Sequence, residues 1–95
     1  TVVDIGGGCG DFTISVARRN PKSRVIAFEP YPPSADLFKT NQLENQASNV
    51  ELVQAAIGKE NGITQLSIQK KEAVHLNTRC LQKPDLTTHI KLYLD

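Results

Sequence analysis

A glycine-rich turn between a short apolar run and a helix-forming segment constrains the fold of this chain most. The stretch reads Asp4-Ile5-Gly6-Gly7-Gly8-Cys9-Gly10, after an apolar run at residues 1–3 and before an apolar-periodic segment that starts at Asp11. Strand, glycine turn and helix in this order are typical of α/β proteins, which bring bare backbone and a helix N-terminus up to a ligand. The glycine turn (residues 6–10) therefore predicts a ligand site where the first strand ends.

The apolar runs after the glycine turn predict that strands and helices alternate. Strands are predicted at residues 1–5, 24–28 and 50–57, and helices at 11–19 and about 34–44. Asp11 is the predicted N-cap of the first helix. The candidate apolar contacts are Phe12, Val16, Ile14 and Ala17 on the first helix and Leu37, Phe38 and Leu43 on the second. This alternation predicts an α/β fold with a Rossmann-like, doubly wound, mostly parallel sheet.

The pattern changes after residue 57. Residues 58–62 form a predicted turn around Asn61-Gly62, and the strand at 63–68 is expected to pair antiparallel with the end of the third strand, as a hairpin. Residues 69–86 are predicted as loop and 89–94 as a last strand. Because the chain opens on a strand and ends after an apolar run, we expect residues 1–95 to be one partial domain, incomplete at its C-terminal side.

Charge and cysteine content limit the partners, the location and the metal sites that can be expected. The net charge of +1 offers no electrostatic reason to expect nucleic acid or an anionic membrane, and no apolar run approaches the ~18 residues of a membrane span. Cys9 and Cys80 are too few for a disulfide framework, so we expect free thiols and a cytoplasmic location. His75 and His89 are isolated, and no Cys/His cluster has zinc-site spacing, so no metal site is predicted.

The glycine spacing separates two kinds of nucleotide site. If the dinucleotide pattern G-x-G-x-x-G starts at Gly6, its third glycine falls on Asp11, and if it starts at Gly8, its third glycine falls on Thr13. Neither start therefore fits the pattern. The acid at Asp11 also disfavours a pyrophosphate at the helix N-terminus. The pattern present, Asp-x-Gly-x-Gly-x-Gly, favours a ligand with a cationic amine and a sulfonium, with Asp4 facing the ammonium. The alternative is a structural turn that binds no ligand.

Glu29 is a second, independent indication of a ligand site. It lies 19 positions after Gly10, at the end of the second predicted strand. In a parallel sheet this position is next to the glycine turn, and a carboxylate there can accept hydrogen bonds from both hydroxyls of a ribose. The alternative interpretation is an ordinary polar strand end.

Three segments carry a family resemblance. Val3-Asp4-Ile5-Gly6-Gly7-Gly8-Cys9-Gly10 resembles motif I of class I S-adenosylmethionine-dependent methyltransferases. Val25-Ile26-Ala27-Phe28-Glu29-Pro30 and Ser48-Asn49-Val50-Glu51-Leu52-Val53-Gln54-Ala55-Ala56-Ile57-Gly58 resemble, more narrowly, the FkbM-type family. The resemblance covers roughly residues 2 to 68. It implies S-adenosylmethionine as cofactor and methyl transfer to a small-molecule or sugar-type acceptor, commonly at oxygen.

The resemblance also implies roles for individual residues. Those implied to contact the donor are Asp4, Gly6, Gly7, Gly8 and Gly10 around its methionine end, Glu29 on its ribose, and Pro30, Gln54, Ala55 and Ala56 near its adenine. For Tyr31 two interpretations stay open, a further adenine contact and a solvated turn residue. For a general base the chain offers only Asp95. The family's fourth strand usually reads like Ile-Lys-Ile-Asp-Val-Glu-Gly, and its lysine and acid cannot both be matched here: with Lys91 as the lysine, Tyr93 replaces the acid, and with Asp95 as the acid, Tyr93 takes the lysine position. A non-catalytic binding module and an NAD-dependent oxidoreductase are the alternative functions.

Overall fold

The computed structural model describes residues 1–69, 73–82 and 89–92, and it contains two sheets and two helices within them. The elements in chain order are β1 (Val2–Ile5), α1 (Asp11–Arg19), β2 (Val25–Phe28), α2 (Pro32–Glu44), β3 (Val50–Val53), β4 (Ala56–Gly58), β5 (Gly62–Gln69), β6 (Ala73–Gln82) and β7 (His89–Leu92). The main sheet has the strand order β3-β2-β1-β7 and the second sheet the order β4-β6-β5. The predicted α/β class with a mostly parallel sheet is confirmed.

The described strands of the main sheet run parallel, and β1, β2 and β3 end together. The last residues of β1, β2 and β3, which are Ile5, Phe28 and Val53, are aligned in register, and Leu92 of β7 pairs with Ile5. The segments that follow β1, β2 and β3 therefore meet at one edge, which we call the carboxyl edge. In open α/β sheets this is the edge where ligands bind.

Both helices pack on the same face of the main sheet. Ile14 and Ala17 of α1 and Phe38 of α2 share one cluster with strand residues such as Val25 and Ala27. Phe38 is fully buried, and burial of a side chain of this size contributes about 2–3 kcal/mol to folding. Neither described helix is long and apolar enough to cross a membrane.

The buried face of α1 agrees with the prediction in part. Ile14 and Ala17 are buried as predicted, and Thr13 is buried as well, whereas Phe12 and Val16 are only half-buried. The first helical turn also lacks the predicted cap, because the N-cap is Gly10, with φ of 94°, and Asp11 lies inside the helix.

The buried face of α2 also differs in part from the prediction. Ala35 and Phe38 are buried, while Leu37 is 51% exposed and Leu43 is 80% exposed, so two of the three predicted contacts are wrong. The helix begins at Pro32 rather than near residue 34, with proline in its first turn, where a missing N–H costs nothing.

The third predicted strand is two strands in the structure. Residues 50–53 pair with β2 in the main sheet, and Ala56–Gly58 pairs parallel with β6 in the second sheet. The predicted hairpin between the end of this strand and β5 is wrong, because β5 pairs antiparallel with β6 and β6 lies between β4 and β5. The loop predicted over 69–86 is therefore wrong for Ala73–Gln82.

The last strand agrees with its prediction as far as it is described. β7 covers His89–Leu92 of the expected 89–94, and Tyr93 and Asp95 lie outside the described residues. β7 pairs with β1, which places β1 inside the main sheet with a parallel neighbour on each side.

Candidate functional site

The glycine turn is tied to the end of β2 by backbone hydrogen bonds. The N–H groups of Gly6 and Gly7 both donate to the carbonyl of Phe28, at 2.8 and 3.0 Å, and Gly10 N–H donates to Gly7 O at 3.0 Å. The φ angles of Gly6, Gly8 and Gly10 are 81°, 57° and 94°, a region that other L-residues rarely adopt. The alternating glycines of the motif are thus required by the backbone of the turn itself.

The turn also packs directly on α2. A Cβ added to Gly10 would lie 2.9 Å from Cδ2 of Phe38, and one added to Gly7 would lie 3.0 Å from Cε2 of the same ring. The side-chain amide of Asn41 donates to the carbonyl of Cys9 at 2.8 Å. Side chains of α2 therefore support the glycine turn through both packing and a hydrogen bond.

Glu29 lies beside the glycine turn, as the parallel sheet predicts. The residue is 7% exposed, its Oε1 accepts from Gly8 N–H at 2.8 Å, and its Oε2 accepts from Tyr31 N–H at 2.8 Å. A carboxylate has about four acceptor positions, so each oxygen keeps one lone pair for a further donor such as a ribose hydroxyl. Binding of a ribose stays a prediction.

Asp4 is buried between β1 and α1. It is 1% exposed, and its Oδ2 accepts a short hydrogen bond from the hydroxyl of Thr13. In the structure, this carboxylate joins the end of β1 to the first turn of α1. Its predicted contact with a ligand ammonium stays a prediction.

The residues after β2 and β3 line the same edge. Glu29 N–H donates to Val53 O at 3.1 Å, and Ala55 N–H donates to the same carbonyl at 3.0 Å. Ala55 is fully buried and Gln54 is exposed. The fold therefore places these predicted adenine contacts next to Glu29, together with Ala56, which begins β4, and Pro30 and Tyr31, which follow Glu29 along the chain.

The second sheet reaches this edge as well. The hydroxyl of Thr78, on β6, donates to Pro30 O at 3.5 Å. The sequence offered no signal for this contact, because β6 was predicted as loop. Asp95, the only predicted base, lies outside the described residues.

Three side chains that hold the predicted site together have no such role in the sequence-based prediction. The pattern predicts Phe38 only as a core residue and gives no role to Thr13 or Asn41. A side chain that bonds a backbone carbonyl 32 positions away has no local sequence signal, which is the case for Asn41 and Cys9.

A groove of about 490 Å³ lies elsewhere, between α1 and α2. Its lining includes Arg18, Arg19, Asn41 and Asn45, and Arg18 donates to the amide oxygen of Asn45 at 3.3 Å. It opens between the two helices and contains none of the predicted donor contacts.

Comparison with known proteins finds similarity to methyltransferases. Residues 1–87 match the model of a family described as "Putative methyltransferase". The chain is 37% identical over 60 residues to Methyltransferase 1 of Beauveria bassiana, covering 63% of this chain and 24% of that protein. It is 31% identical over 67 residues to Methyltransferase sdnD of Sordaria araneosa, covering 70% and 26%.

The chain thus spans about a quarter of the length of these curated relatives. A solved structure named StiE O-MT residues 961-1257 superposes with a TM-score of 0.55 at 20% identity, covering 58% of this chain and 20% of that one. At this identity the superposition supports the α/β fold.

Proposed function

The chain belongs to this methyltransferase family, and from that premise we propose that it forms the donor-binding part of an S-adenosylmethionine-dependent methyltransferase. The observation that carries the proposal is the contact between Glu29 and Gly8, which puts an acceptor-only carboxylate against the glycine turn at the carboxyl edge. Hydroxyls that donate, such as those of a ribose, are the natural partners of such a group.

The charge of the edge fits this donor better than a phosphate-bearing cofactor. The segments that form it, residues 4–10, 28–31 and 53–56, contain two carboxylates, Asp4 and Glu29, and no Lys or Arg. A pyrophosphate there would meet like charge without a compensating cation. A ligand with a cationic ammonium and sulfonium meets opposite charge instead.

The chain's own residues have separate roles in this proposal. Glu29 binds the ribose, the glycine turn lies along the methionine end, and Pro30, Tyr31 and residues 54–56 lie against the adenine. S-adenosylmethionine supplies, when bound, a methyl group activated by its positive sulfur. These residues accelerate the reaction by holding the donor in one orientation toward the acceptor.

The finer assignments rest on the sequence. We propose oxygen as the acceptor atom, a small-molecule or sugar-type acceptor, and Asp95 as the candidate base that takes the acceptor proton. The FkbM subtype rests on the segments at residues 25–30 and 48–58. A reducing, cytoplasmic location is proposed because both cysteines are free.

Calorimetric titration of the full-length protein that contains this chain tests the proposal. S-adenosylhomocysteine, the demethylated product, is expected to bind and NAD is not. Binding of NAD without any response to S-adenosylhomocysteine would overturn the proposal in favour of an oxidoreductase. A radiolabelled donor, offered with candidate acceptors, then separates an enzyme from a module that binds the donor without transferring its methyl group.

A further inference from the structure

We propose that Asn41 is a positioning residue, which sets the orientation of the glycine turn and thereby the affinity for the methyl donor. The part that concerns the donor rests on the proposed function. The part that concerns the turn rests on the contacts of α2 alone.

The first step concerns the peptide unit between Cys9 and Gly10. Its carbonyl accepts from Asn41 Nδ2 at 2.8 Å, and its N–H donates to Gly7 O at 3.0 Å. On either side of Cys9 stands a glycine with positive φ, 57° at Gly8 and 94° at Gly10. Glycine has little conformational preference of its own, so the orientation of this peptide plane depends on its hydrogen bonds.

The second step concerns where the hydrogen bond comes from. Asn41 lies one helical turn after Phe38, and both side chains contact the glycine turn. The Phe38 ring packs against Gly7 and Gly10, which sets the distance between α2 and the turn. Packing of a ring is not directional, so the amide of Asn41 supplies the directional contact.

The third step concerns the two sides of the turn. Glu29, at the predicted ribose position, holds the turn through Gly8 N–H, and Asn41 holds the next residue through Cys9 O. A ligand that binds Glu29 therefore meets a turn whose neighbouring peptide is already oriented. Loss of the Asn41 amide would leave that peptide held only through its N–H, so the ligand would have to order it further, at a cost in affinity.

Gln42 provides a matched control. It follows Asn41 on α2, and its amide also donates to backbone carbonyls, Ala47 O at 3.1 Å and Val50 O at 2.8 Å. These carbonyls lie in the connection to β3 and at the first residue of β3, and not in the glycine turn. Asn41→Leu and Gln42→Leu therefore both remove an amide from α2, but only Asn41→Leu releases the turn.

The test is calorimetry with S-adenosylhomocysteine on both variants of the full-length protein. We expect Asn41→Leu to raise Kd about tenfold with unchanged stoichiometry, and Gln42→Leu to change Kd less than twofold. A merely structural role for Asn41 would lower the stoichiometry, through misfolded protein, and leave Kd as it was. Equal Kd values in the two variants would overturn the proposal.

Hydrogen exchange separates this proposal from the proposed function. Asn41→Leu is expected to speed exchange at the amides of residues 8–10, and Gln42→Leu is not. If the wild-type protein does not bind S-adenosylhomocysteine, the proposed function and the donor half of this inference fail together. In that case, faster amide exchange at residues 8–10 in Asn41→Leu than in Gln42→Leu would still support the role of Asn41 in holding the turn. Equal exchange rates in the two variants would overturn that role as well.

Discussion

Oε1 of Glu29 accepts a hydrogen bond from the N–H of Gly8 at 2.8 Å, which joins the residue after β2 to the turn after β1. The other oxygen of the same carboxylate accepts from Tyr31 N–H, also at 2.8 Å. One buried side chain therefore orders two loops of the carboxyl edge. The same atoms are the ones that the proposed function assigns to the ribose of the donor.

Substitution of Glu29 should affect both folding and donor binding. Glu29→Gln keeps one oxygen acceptor but turns an amide N–H toward a backbone N–H, so we expect a loss of about 1–3 kcal/mol of stability. Affinity for S-adenosylhomocysteine should fall at least tenfold, because one of the two ribose acceptors is lost. Thermal unfolding and calorimetry measure the two effects.

Glu51→Gln is the control for this substitution. Glu51 pairs with Arg24 at 2.6 Å, and the two side chains are 53% and 64% exposed. An exposed ion pair contributes less than about 1 kcal/mol, so this variant should keep both stability and affinity. The role given to Glu29 would be contradicted if its variant bound S-adenosylhomocysteine as tightly as Glu51→Gln does.

Gly10→Ala should be one of the most damaging single-methyl additions in the chain. The φ of 94° is strained for alanine, and the new Cβ would lie 2.9 Å from the Phe38 ring. We expect a loss of at least about 2 kcal/mol, measured by chemical denaturation.

The double variant with Phe38→Leu divides this loss into strain and crowding. Leucine is smaller and more adaptable, so adding Gly10→Ala to Phe38→Leu should cost about 1 kcal/mol less than adding it to the wild type. If the stability losses caused by Gly10→Ala and Phe38→Leu add to within about 0.5 kcal/mol, the Phe38 ring does not restrict the side chain at residue 10.

Thr13→Val tests the hydrogen bond between α1 and β1. The hydroxyl of Thr13, a fully buried residue, donates to the buried carboxylate of Asp4. Valine has nearly the same shape and removes only the donor, so unfolding should require about 1–3 kcal/mol less free energy. Thr40→Val removes an exposed hydroxyl that bonds Asp36 O at 3.3 Å, and should change stability by less than about 0.5 kcal/mol. Equal effects in the two variants would argue against a structural role for the Asp4 contact.

Asn49→Asp should make the stability of the protein depend on pH. The amide nitrogen of Asn49 faces the carbonyls of Ala17, Asn20 and Ser23 at 3.1, 3.1 and 2.9 Å. A carboxylate in this place would face three oxygens, which raises its pKa in the folded state above the unfolded value of ~3.9. The variant is therefore least destabilised at acidic pH, where its carboxyl is protonated and donates, and loses stability as the pH rises through that raised pKa.

Asn49→Ala separates the charge from the lost hydrogen bonds. It removes the same donors without adding a titrating group. The difference in the free energy of unfolding between this variant and the wild type should therefore stay constant between about pH 4 and pH 7. Thermal unfolding across this range measures both variants. If the stability of Asn49→Asp and that of Asn49→Ala change with pH in the same way, the three carbonyls do not raise the pKa of the introduced carboxyl group.

Much of the main sheet and the position of Glu29 could be predicted from local patterns. Apolar β-branched runs mark β1, β2 and β3, and their spacing by helical segments makes the strands parallel. Once the strands are parallel, Glu29 must lie beside the glycine turn, which the bond to Gly8 confirms. Asn49, the residue before β3, proves to bond backbone carbonyls of α1 and of the connection between α1 and β2, a role that spacing alone does not reveal.

The sequence by itself determined the alternation of elements, the parallel sheet and the glycine turn, because these follow from hydrophobic period and from backbone angles that glycine permits. Only the tertiary structure decided that Ala35, rather than Leu37 and Leu43, is buried on α2, since close packing depends on shape as well as hydrophobicity. It also decided that Ala73–Gln82 is a strand and that Asn41 holds Cys9. β6 forms through its pairing with β5 and β4, and the bond from Asn41 to Cys9 spans 32 positions, so neither shows in the hydrophobic pattern of its own segment.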